Sequence, residues 1–389
     1  MDASLPPLPP DRPRHSPWKP EGCDRIALVL QGGGALGAYQ GGVYQALHEA
    51  GLEPDWVTGV SIGAINSSII AGNPPERRLE RLRDFWETVT ARHFFPWQLD
   101  GDTLRRTRNG LSSLSTMALG QPGFFTSNVP NPWLSPRGAR TATSFYDNAP
   151  LRDTLLRLVD FDLINSGAVR FAVGAVNVGT GNFIYFDNAD REIIPEHVMA
   201  SGALPPALPM VRIGGDAYWD GGIVSNTPLS ALLTDIGREN VMVFQVDLFS
   251  SRGAIPRDMY DVLARHKEIM YSSRTRLTTD NWKQLHQQKV VMRRLLSLIP
   301  EDRLSPEDRA LKQELEHLPE ISILHLIYHH QPYESDATDY EFSAVTMREH
   351  WEAGYRDTNR TLHRREWLTM PGSASGIAVH DIHYVRDKA

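Results

Sequence analysis

The segment that most constrains the fold of this chain is a serine flanked by glycines, Gly59-Val60-Ser61-Ile62-Gly63. The short apolar run Trp56-Val57 leads into it, and the run from Ile62 to Ile70 leaves it with helical rather than alternating spacing. This order predicts a strand, a sharp turn and a helix. Glycine at both ends of the bend, Gly59 and Gly63, allows a strained backbone in which Ser61 points outwards, with the free N–H groups of the new helix behind it.

A second glycine-rich segment, Gly32-Gly33-Gly34, follows the first predicted strand. Residues Ile26 to Leu30 form a continuous apolar run of strand length, which is typical of a strand covered on both faces in a parallel sheet. Helical spacing follows from Ala38 to Ala50, so the chain starts as strand, helix, strand, helix. Because the glycine loop ends one strand and the serine turn ends the next, we expect both at the same edge of the sheet.

A serine nucleophile needs a base that takes its proton and donors held about 3 Å from the oxyanion that then forms. The backbone N–H groups of the glycine loop, Gly32 to Gly34, are the candidate donors. None of the 14 histidines occupies an obvious strand-to-loop junction in the early part of the chain. Asp220 is the better candidate for the base, because the following Gly221 and Gly222 allow a turn in which its carboxylate faces a cleft.

Taken together and in this order, the three motifs resemble those of the patatin-like phospholipases. The resemblance covers roughly residues 24–250 and includes Asn66, residues 200–205 before the aspartate and residues 226–229 after it. It implies a three-layer α/β/α fold with a mostly parallel central sheet and hydrolysis of lipid acyl esters. In that scheme Ser61 forms the acyl-enzyme, Asp220 is the general base, the glycine amides hold the oxyanion, and no metal or cofactor is needed.

One position departs from the family pattern. Many members carry Lys or Arg in the glycine-rich loop at the place that Leu36 fills here. Leucine offers no charge to an oxyanion, so the backbone amides would have to suffice. This leaves open a second function, a catalytically weak or inactive lipid-binding protein.

The glycine loop also satisfies the dinucleotide-binding fingerprint as Gly32-x-Gly34-x-x-Gly37. That fingerprint needs an acidic residue at the end of the second strand to hold a ribose. Here the second strand ends in the serine turn, and Asp55 lies at its start. A dinucleotide-binding oxidoreductase is therefore a remote alternative.

Composition predicts three regions. Residues 1–23 contain seven prolines and few bulky aliphatic side chains, which favours a disordered leader. Residues 24–254 are predicted to form the hydrolase domain, and residues 255–389 a mainly helical extension similar to one found in a bacterial branch of the family. Within that extension we expect one further strand, Ile321 to Tyr328, and a long helix from Phe342 to Leu368.

Charge and cysteine content limit the partners and the compartment. A formal net charge of -7 and a pI near 6.1 argue against a nucleic-acid partner. The single cysteine, Cys23, excludes an intrachain disulfide and fits a reducing compartment. No apolar run reaches the roughly 18 residues of a membrane-spanning helix, and the N-terminus lacks the pattern of a signal peptide. The sequence therefore predicts a cytoplasmic protein, with its oligomeric state left open.

Two further segments have compositions that fit contact with lipid. Between Ile255 and Leu298 there are nine Lys and Arg against four Asp and Glu, which indicates either a solvated helix face or attraction to an anionic membrane surface. The irregular segment from Gly123 to Trp133, with Phe124 and Phe125, is predicted to shape a pocket for the acyl chain, although an ordinary packed surface loop is an equal alternative.

Overall fold

The computed structural model describes residues 17–90, 110, 112–113, 115–272, 275–330, 338–372 and 375–381. Most of the predicted leader, residues 1–16, lies outside these ranges. The strands, in chain order, are β1 (Arg25–Leu30), β2 (Trp56–Gly59), β3 (Thr126–Ser127), β4 (Tyr146–Asp147), β5 (Arg170–Asn177), β6 (Phe183–Asp187), β7 (Val211–Ile213), β8 (Asp216–Asp220), β9 (Val241–Asp247), β10 (Ile321–Ile327) and β11 (Ile377–Asp381).

Helices connect most of these strands, and residues 115–119 are helical as well. The α-helices with described bounds are α1 (Ala38–Glu49), α2 (Ile62–Ala71), α3 (Pro75–Thr90), α4 (Ala149–Leu158), α5 (Phe161–Asn165), α6 (Pro195–Ser201), α7 (Leu229–Asp235), α8 (Met259–Tyr271), α9 (Thr275–Ser297), α10 (Pro306–Glu316) and α11 (Ala344–Leu362).

The central sheet has nine strands, and β3 and β4 form a separate pair. Its order is β11-β10-β9-β1-β2-β5-β8-β7, and β6 also pairs with β5. The six strands from β11 to β5 are parallel to their neighbours, whereas β6, β7 and β8 pair in antiparallel fashion. The predicted mostly parallel sheet is confirmed. Since β1 and β2 are neighbours, the glycine loop and the serine turn meet at one sheet edge, as expected.

Both faces of the sheet are covered, which explains the continuous apolar run of β1. Alternate residues Ile26, Leu28 and Leu30 join a large core with α1, α2, α3, α4 and α11. Ala27 and Val29 join a smaller core on the opposite face, which α7 and Trp282 of α9 cover. These faces make the three-layer arrangement that the sequence predicts.

The residues after 254 share the sheet with the residues before it. The strand predicted at residues 321–328 is confirmed as β10, which pairs in parallel with β9, and β11 extends the sheet beyond it. Helix α11 packs closely on α1. A Cβ atom at Gly42 would overlap the Trp351 carbonyl, and one at Gly354 would overlap the Tyr39 carbonyl. The boundary at residue 254 stays a prediction, but the sheet is continuous across it.

We expect Gly42→Ala to lower the free energy of unfolding by about 1–3 kcal/mol, because the added methyl group meets backbone that cannot rotate away. Alanine is the better helix former, so any rise in stability would contradict this close packing of α1 on α11. Gly179→Ala is the matched control, since a Cβ there meets only the Asn177 side chain at 3.4 Å. Urea denaturation of both variants measures the difference.

Candidate active site

Ser61 occupies the sharp turn between β2 and α2, as the sequence predicts. Its backbone angles are φ 57° and ψ -124°, and among the described residues it alone has positive φ without being glycine. A Cβ atom at Gly59 would overlap the Gly63 carbonyl, and one at Gly63 would overlap the Leu30 carbonyl. The two glycines of the motif are therefore required by the close approach of backbone on both sides of the turn.

The strained turn is held by a residue 140 positions further along the chain. The Ser61 N–H donates to both the carbonyl and the hydroxyl oxygen of Ser201, each at 3.1 Å. The Ser201 hydroxyl in turn donates to the Gly174 carbonyl at 2.6 Å. This chain of bonds fixes the turn to α6 and β5 and stabilises a conformation that costs about 1–3 kcal/mol in isolation. Ser201 lies in residues 200–205, which the family resemblance includes, but no local pattern in the sequence predicts its bonds to the turn.

Asp220 lies at the end of β8, directly at the Ser61 side chain. It is 1% exposed, and its carboxylate accepts a hydrogen bond from the Gly222 N–H at 2.7 Å and lies close enough to the Ser61 side chain for that side chain to lower its pKa. Burial raises the pKa of Asp220 to about 7, although the Gly222 N–H and the Ser61 side chain act in the opposite direction. A Cβ atom at Gly221 would lie 2.6 Å from the Gly174 carbonyl, so the glycine after the aspartate is required by close packing.

The glycine loop faces the same cavity as Ser61 and Asp220. The Gly32 N–H donates to the Asn226 carbonyl at 3.3 Å, and the Asn226 side-chain amide donates to the Gly32 carbonyl at 3.0 Å. Within the described part of the chain, the N–H groups of Gly33 and Gly34 donate to no protein acceptor. Of the three predicted oxyanion donors, these two therefore remain open to a ligand.

The Leu36 side chain packs into the large core and is 1% exposed. It does not line the cavity. The glycine loop therefore faces the cavity with its backbone. Leu36, which stands where many family members have Lys or Arg, contributes a contact to the apolar core instead.

Gln31, just before the glycine loop, connects the loop to three other parts of the chain. Its side-chain oxygen accepts from the N–H groups of Leu248 (2.6 Å) and Phe249 (2.9 Å). Its side-chain nitrogen donates to the Thr227 hydroxyl at 2.8 Å and to the Tyr271 carbonyl at 3.0 Å. Gln31 directly precedes the three glycines, but the local sequence pattern does not reveal partners some 200 residues away.

Asn66 fixes the other end of the glycine loop. Its buried amide donates to the Gly37 carbonyl at 3.0 Å and to the Gln40 side chain at 2.8 Å, and it accepts from the Trp86 indole at 3.2 Å. The Gln40 side chain donates to the Gln31 carbonyl at 2.6 Å. Only the family resemblance pointed to Asn66. The structure shows its physical role, because its hydrogen bonds connect α2 to the end of the glycine loop.

The cavity has a volume of about 380 Å³. Its wall beyond Ser61 and Asp220 is mostly apolar and includes Phe124 and Phe125 of the segment predicted to shape a pocket. Trp133, at the other end of the segment, lies in a short 3₁₀ helix, is 86% exposed and does not line the cavity. That the segment shapes a pocket for the acyl chain therefore stays a prediction, which rests on Phe124 and Phe125. Other apolar lining residues are Tyr146, Leu204, Ala207, Leu208, Phe249 and Phe342.

The C-terminal part of the chain also contributes to the cavity. Residues 263, 266, 267, 270 and 271 of α8 line it, together with residues 339, 340 and 342. Lys267 and Asp339 form an ion pair at 2.5 Å. A Cβ atom at Gly34 would overlap the Asp339 carbonyl, so this segment lies directly on the glycine loop.

Across the described ranges, no group of three or more His, Cys, Asp or Glu side chains is arranged to hold a metal ion. None of the described helices is both long enough and apolar enough to span a bilayer.

Family models match both halves of the chain. A model described as "Patatin-like phospholipase" matches residues 28–233, which is more than half of the chain. A second model, described as "Patatin phospholipase", matches residues 269–374.

Curated relatives match over short stretches. "Lysophospholipase nte1" of Aspergillus terreus is 52% identical over 50 residues, which are 13% of this chain and 3% of that protein. The human "Patatin-like phospholipase domain-containing protein 6" is 42% identical over 67 residues, 17% of this chain and 5% of that protein. The chain therefore spans a small fraction of the length of these relatives.

Among solved structures, VipD from Legionella pneumophila aligns over 91% of this chain and 71% of its own, with a TM-score of 0.37 and 16% identity. A likeness of this size carries no argument about function.

We expect Asp220→Asn to stabilise the protein in a pH-dependent way. The carboxyl has a pKa of about 7 when folded and an ordinary value near 3.8, so between these values the folded state binds more protons and wild-type stability falls as pH rises. The uncharged amide avoids this loss. The melting temperature of the variant should exceed that of wild type at pH 8, and the difference should shrink towards pH 4. A difference that is the same at every pH would contradict the raised pKa.

Proposed function

The chain belongs to the patatin-like phospholipase family, and from this premise we propose that it is a serine hydrolase that cleaves carboxylic ester bonds of lipids. The observation that carries the proposal is the placement of Ser61, on its strained turn, beside the buried Asp220 carboxylate at the wall of one apolar cavity. The names of the relatives, a lysophospholipase and a phospholipase-domain protein, support a lipid ester as the substrate class.

In the first half of the proposed reaction, Ser61 attacks the ester carbonyl while Asp220 takes the hydroxyl proton. The oxyanion that forms is stabilised by the N–H groups of Gly33 and Gly34, with the positive end of α2 behind the serine. When the intermediate collapses, the C–O bond breaks and Asp220 returns the proton to the departing alkoxide. An acyl group then remains on Ser61.

In the second half, Asp220 takes a proton from water, and the hydroxide attacks the acyl-enzyme carbonyl. The fatty acid leaves as the proton returns to the Ser61 oxygen. A pKa of about 7 suits this exchange, because a carboxyl of that pKa both accepts and donates a proton near neutral pH. A carboxylate of ordinary pKa near 3.8 would be the weaker base.

The two alternatives are less well supported. An inactive lipid-binding protein would not need a buried carboxylate whose charged form is disfavoured. In this chain the buried Asp220 is present and lies beside Ser61, which favours the enzyme over the binding protein. An oxidoreductase would need an acidic group for a ribose, whereas the Asp55 carboxylate accepts from the Ile26 N–H at 3.0 Å and pairs with Lys19 at 2.8 Å.

Ester hydrolysis by Ser61→Ala and Asp220→Asn tests the proposal. We expect each variant to lose at least about 10³-fold in kcat with a short p-nitrophenyl ester, since each removes a group that acts in the bond-making step. Ser68→Ala is the matched control, because this serine lies on the same helix and its hydroxyl donates only to the Ile65 carbonyl. Near-normal turnover by Asp220→Asn would disprove the dyad.

We further propose that the protein works at the surface of a lipid assembly. Among the described residues, thirteen of the 22 exposed large apolar side chains lie between residues 255 and 299. The same segment carries the excess of basic residues, and its Leu263 and Met270 also line the catalytic cavity. Exposed apolar groups with surrounding positive charge favour an anionic lipid surface. For the compartment, the cytoplasm remains our prediction.

Partition onto anionic vesicles tests this contact. Leu285 in α9 and Leu156 in α4 are each 50% exposed, so the same substitution can be compared at both. We expect Leu285→Ser to weaken binding about tenfold, the cost of one apolar side chain, and Leu156→Ser to leave it unchanged. Equal binding by the two variants in a sedimentation assay would show that α9 does not contact the lipid.

A further inference from the structure

We propose that residues 129–143, which we call the 129–143 loop, insert into the anionic lipid surface on which the protein acts. The inference rests on the proposed action at a lipid surface and adds a contact separate from that of α9. The loop connects β3 to β4. Its ends are held together, because the Asn128 side chain donates to the Ser144 carbonyl at 3.0 Å and the Asn128 N–H to the Phe145 carbonyl at 2.9 Å. Compact surface loops closed in this way are frequently functional.

The loop exposes three large apolar side chains within residues 129–134. Val129 is 87% exposed, Trp133 86% and Leu134 80%, which makes them three of the four most exposed large apolar side chains among the described residues. Single exposed apolar residues are ordinary, whereas a cluster of them marks an interaction site. Tryptophan favours a lipid surface, because its large apolar ring carries one N–H group that stays at the level of the headgroups.

The charge of the loop indicates which kind of lipid surface it fits. The only charged residues between positions 126 and 146 are Arg137 and Arg140. Both are exposed, and the Arg140 guanidinium lies 3.9 Å from the Asp147 carboxylate, a distance at which an exposed pair is weak. Apolar side chains next to two arginines therefore match a bilayer with anionic headgroups.

The base of the loop is part of the wall of the cavity beside Ser61. Phe125, just before β3, and Tyr146, in β4, both line this cavity, and their ring centroids are 4.8 Å apart. The Tyr146 N–H donates at 2.9 Å to the carbonyl of Ala207, a third lining residue. A lipid surface that holds the loop therefore lies near the cavity.

Helix α8 lines the same cavity and also exposes apolar side chains. Leu263 and Met270 are 49% and 55% exposed, and both contribute to the cavity wall. The 129–143 loop and the segment of α8 and α9 are far apart in sequence but belong to elements that meet at this cavity. Two contacts with one surface orient the protein, because a single contact leaves it free to rotate about that point.

Fluorescence quenching by brominated phosphatidylcholine tests the insertion, because bromine atoms on the acyl chains quench tryptophans that enter the bilayer. The chain has nine tryptophans, so the signal of Trp133 must be isolated. Trp133→Phe keeps an apolar ring and removes the indole. With vesicles that also contain phosphatidylglycerol, we expect wild type to be quenched and Trp133→Phe to lose most of that quenching. Equal quenching of the two proteins would overturn the inference.

Vesicle sedimentation measures how much the loop contributes to binding. We expect Leu134→Ser to weaken binding to the same vesicles about tenfold, and Leu156→Ser, the matched substitution on α4, to leave it unchanged. Replacing both Arg137 and Arg140 by Gln should weaken binding about tenfold on these anionic vesicles and leave binding to pure phosphatidylcholine unchanged. Equal binding by Leu134→Ser and Leu156→Ser would contradict insertion of the loop.

Activity separates this inference from the hydrolase proposal. Trp133 does not line the cavity, so Trp133→Ser should keep kcat/KM for a short soluble p-nitrophenyl ester within about twofold of wild type, while hydrolysis of a lipid ester in anionic vesicles falls about tenfold. An equal loss with both esters would overturn the inference and leave the hydrolase proposal standing. If wild type hydrolyses neither ester, the hydrolase proposal fails, and the quenching experiment still decides whether the loop enters lipid.

The oligomeric state of the free protein checks the other occupant of the loop. If the protein is a dimer without lipid and Trp133→Ser makes it a monomer, the loop binds a second copy of this chain and the inference is overturned. We expect size-exclusion chromatography to give the same elution volume for wild type and Trp133→Ser.

Discussion

The contact between the Ser61 hydroxyl and the buried Asp220 carboxylate is the interaction on which the rest of the site depends. It joins two strained or costly features, a serine with positive φ and a carboxylate 1% exposed. The surrounding structure offsets both costs, through the hydrogen bonds of Ser201 to the turn and of Gly222 to the carboxylate. The sheet brings the ends of β2 and β8 together on either side of β5, so that residues 159 positions apart meet. The raised pKa that suits Asp220 for proton transfer follows from the same burial.

The C-terminal third is part of the molecule's architecture and of its site. Strands β10 and β11 continue the parallel sheet, α11 packs on α1 through glycines, and α8 lines the cavity beside Ser61. Tyr271, at the end of α8, accepts hydrogen bonds from Gln31 and Asn226. Both segments that the family models match therefore contribute residues to one cavity.

The sequence predicts the start of the fold well, because glycine is needed where a side chain would collide with nearby backbone. Gly59 and Gly63 allow one kind of turn, and a continuous apolar strand must be covered on both faces. Other features depend on distant partners and leave no local signal. The role of Gln31 and the pKa of Asp220 depend on what surrounds them. Within residues 123–133, the pattern does not tell which aromatic side chains face the cavity, as Phe124 and Phe125 do, and which stay exposed, as Trp133 does.

Labelling with a fluorophosphonate probe tests the central claim most directly, since the reagent reacts with an activated serine whatever the natural acyl ester is. The account predicts an adduct on the peptide that contains Ser61, at a rate that rises with pH with an apparent pKa near 7, and little adduct in Asp220→Asn. An adduct on another serine, or none from the folded protein, would contradict it and favour a lipid-binding relative without hydrolase activity.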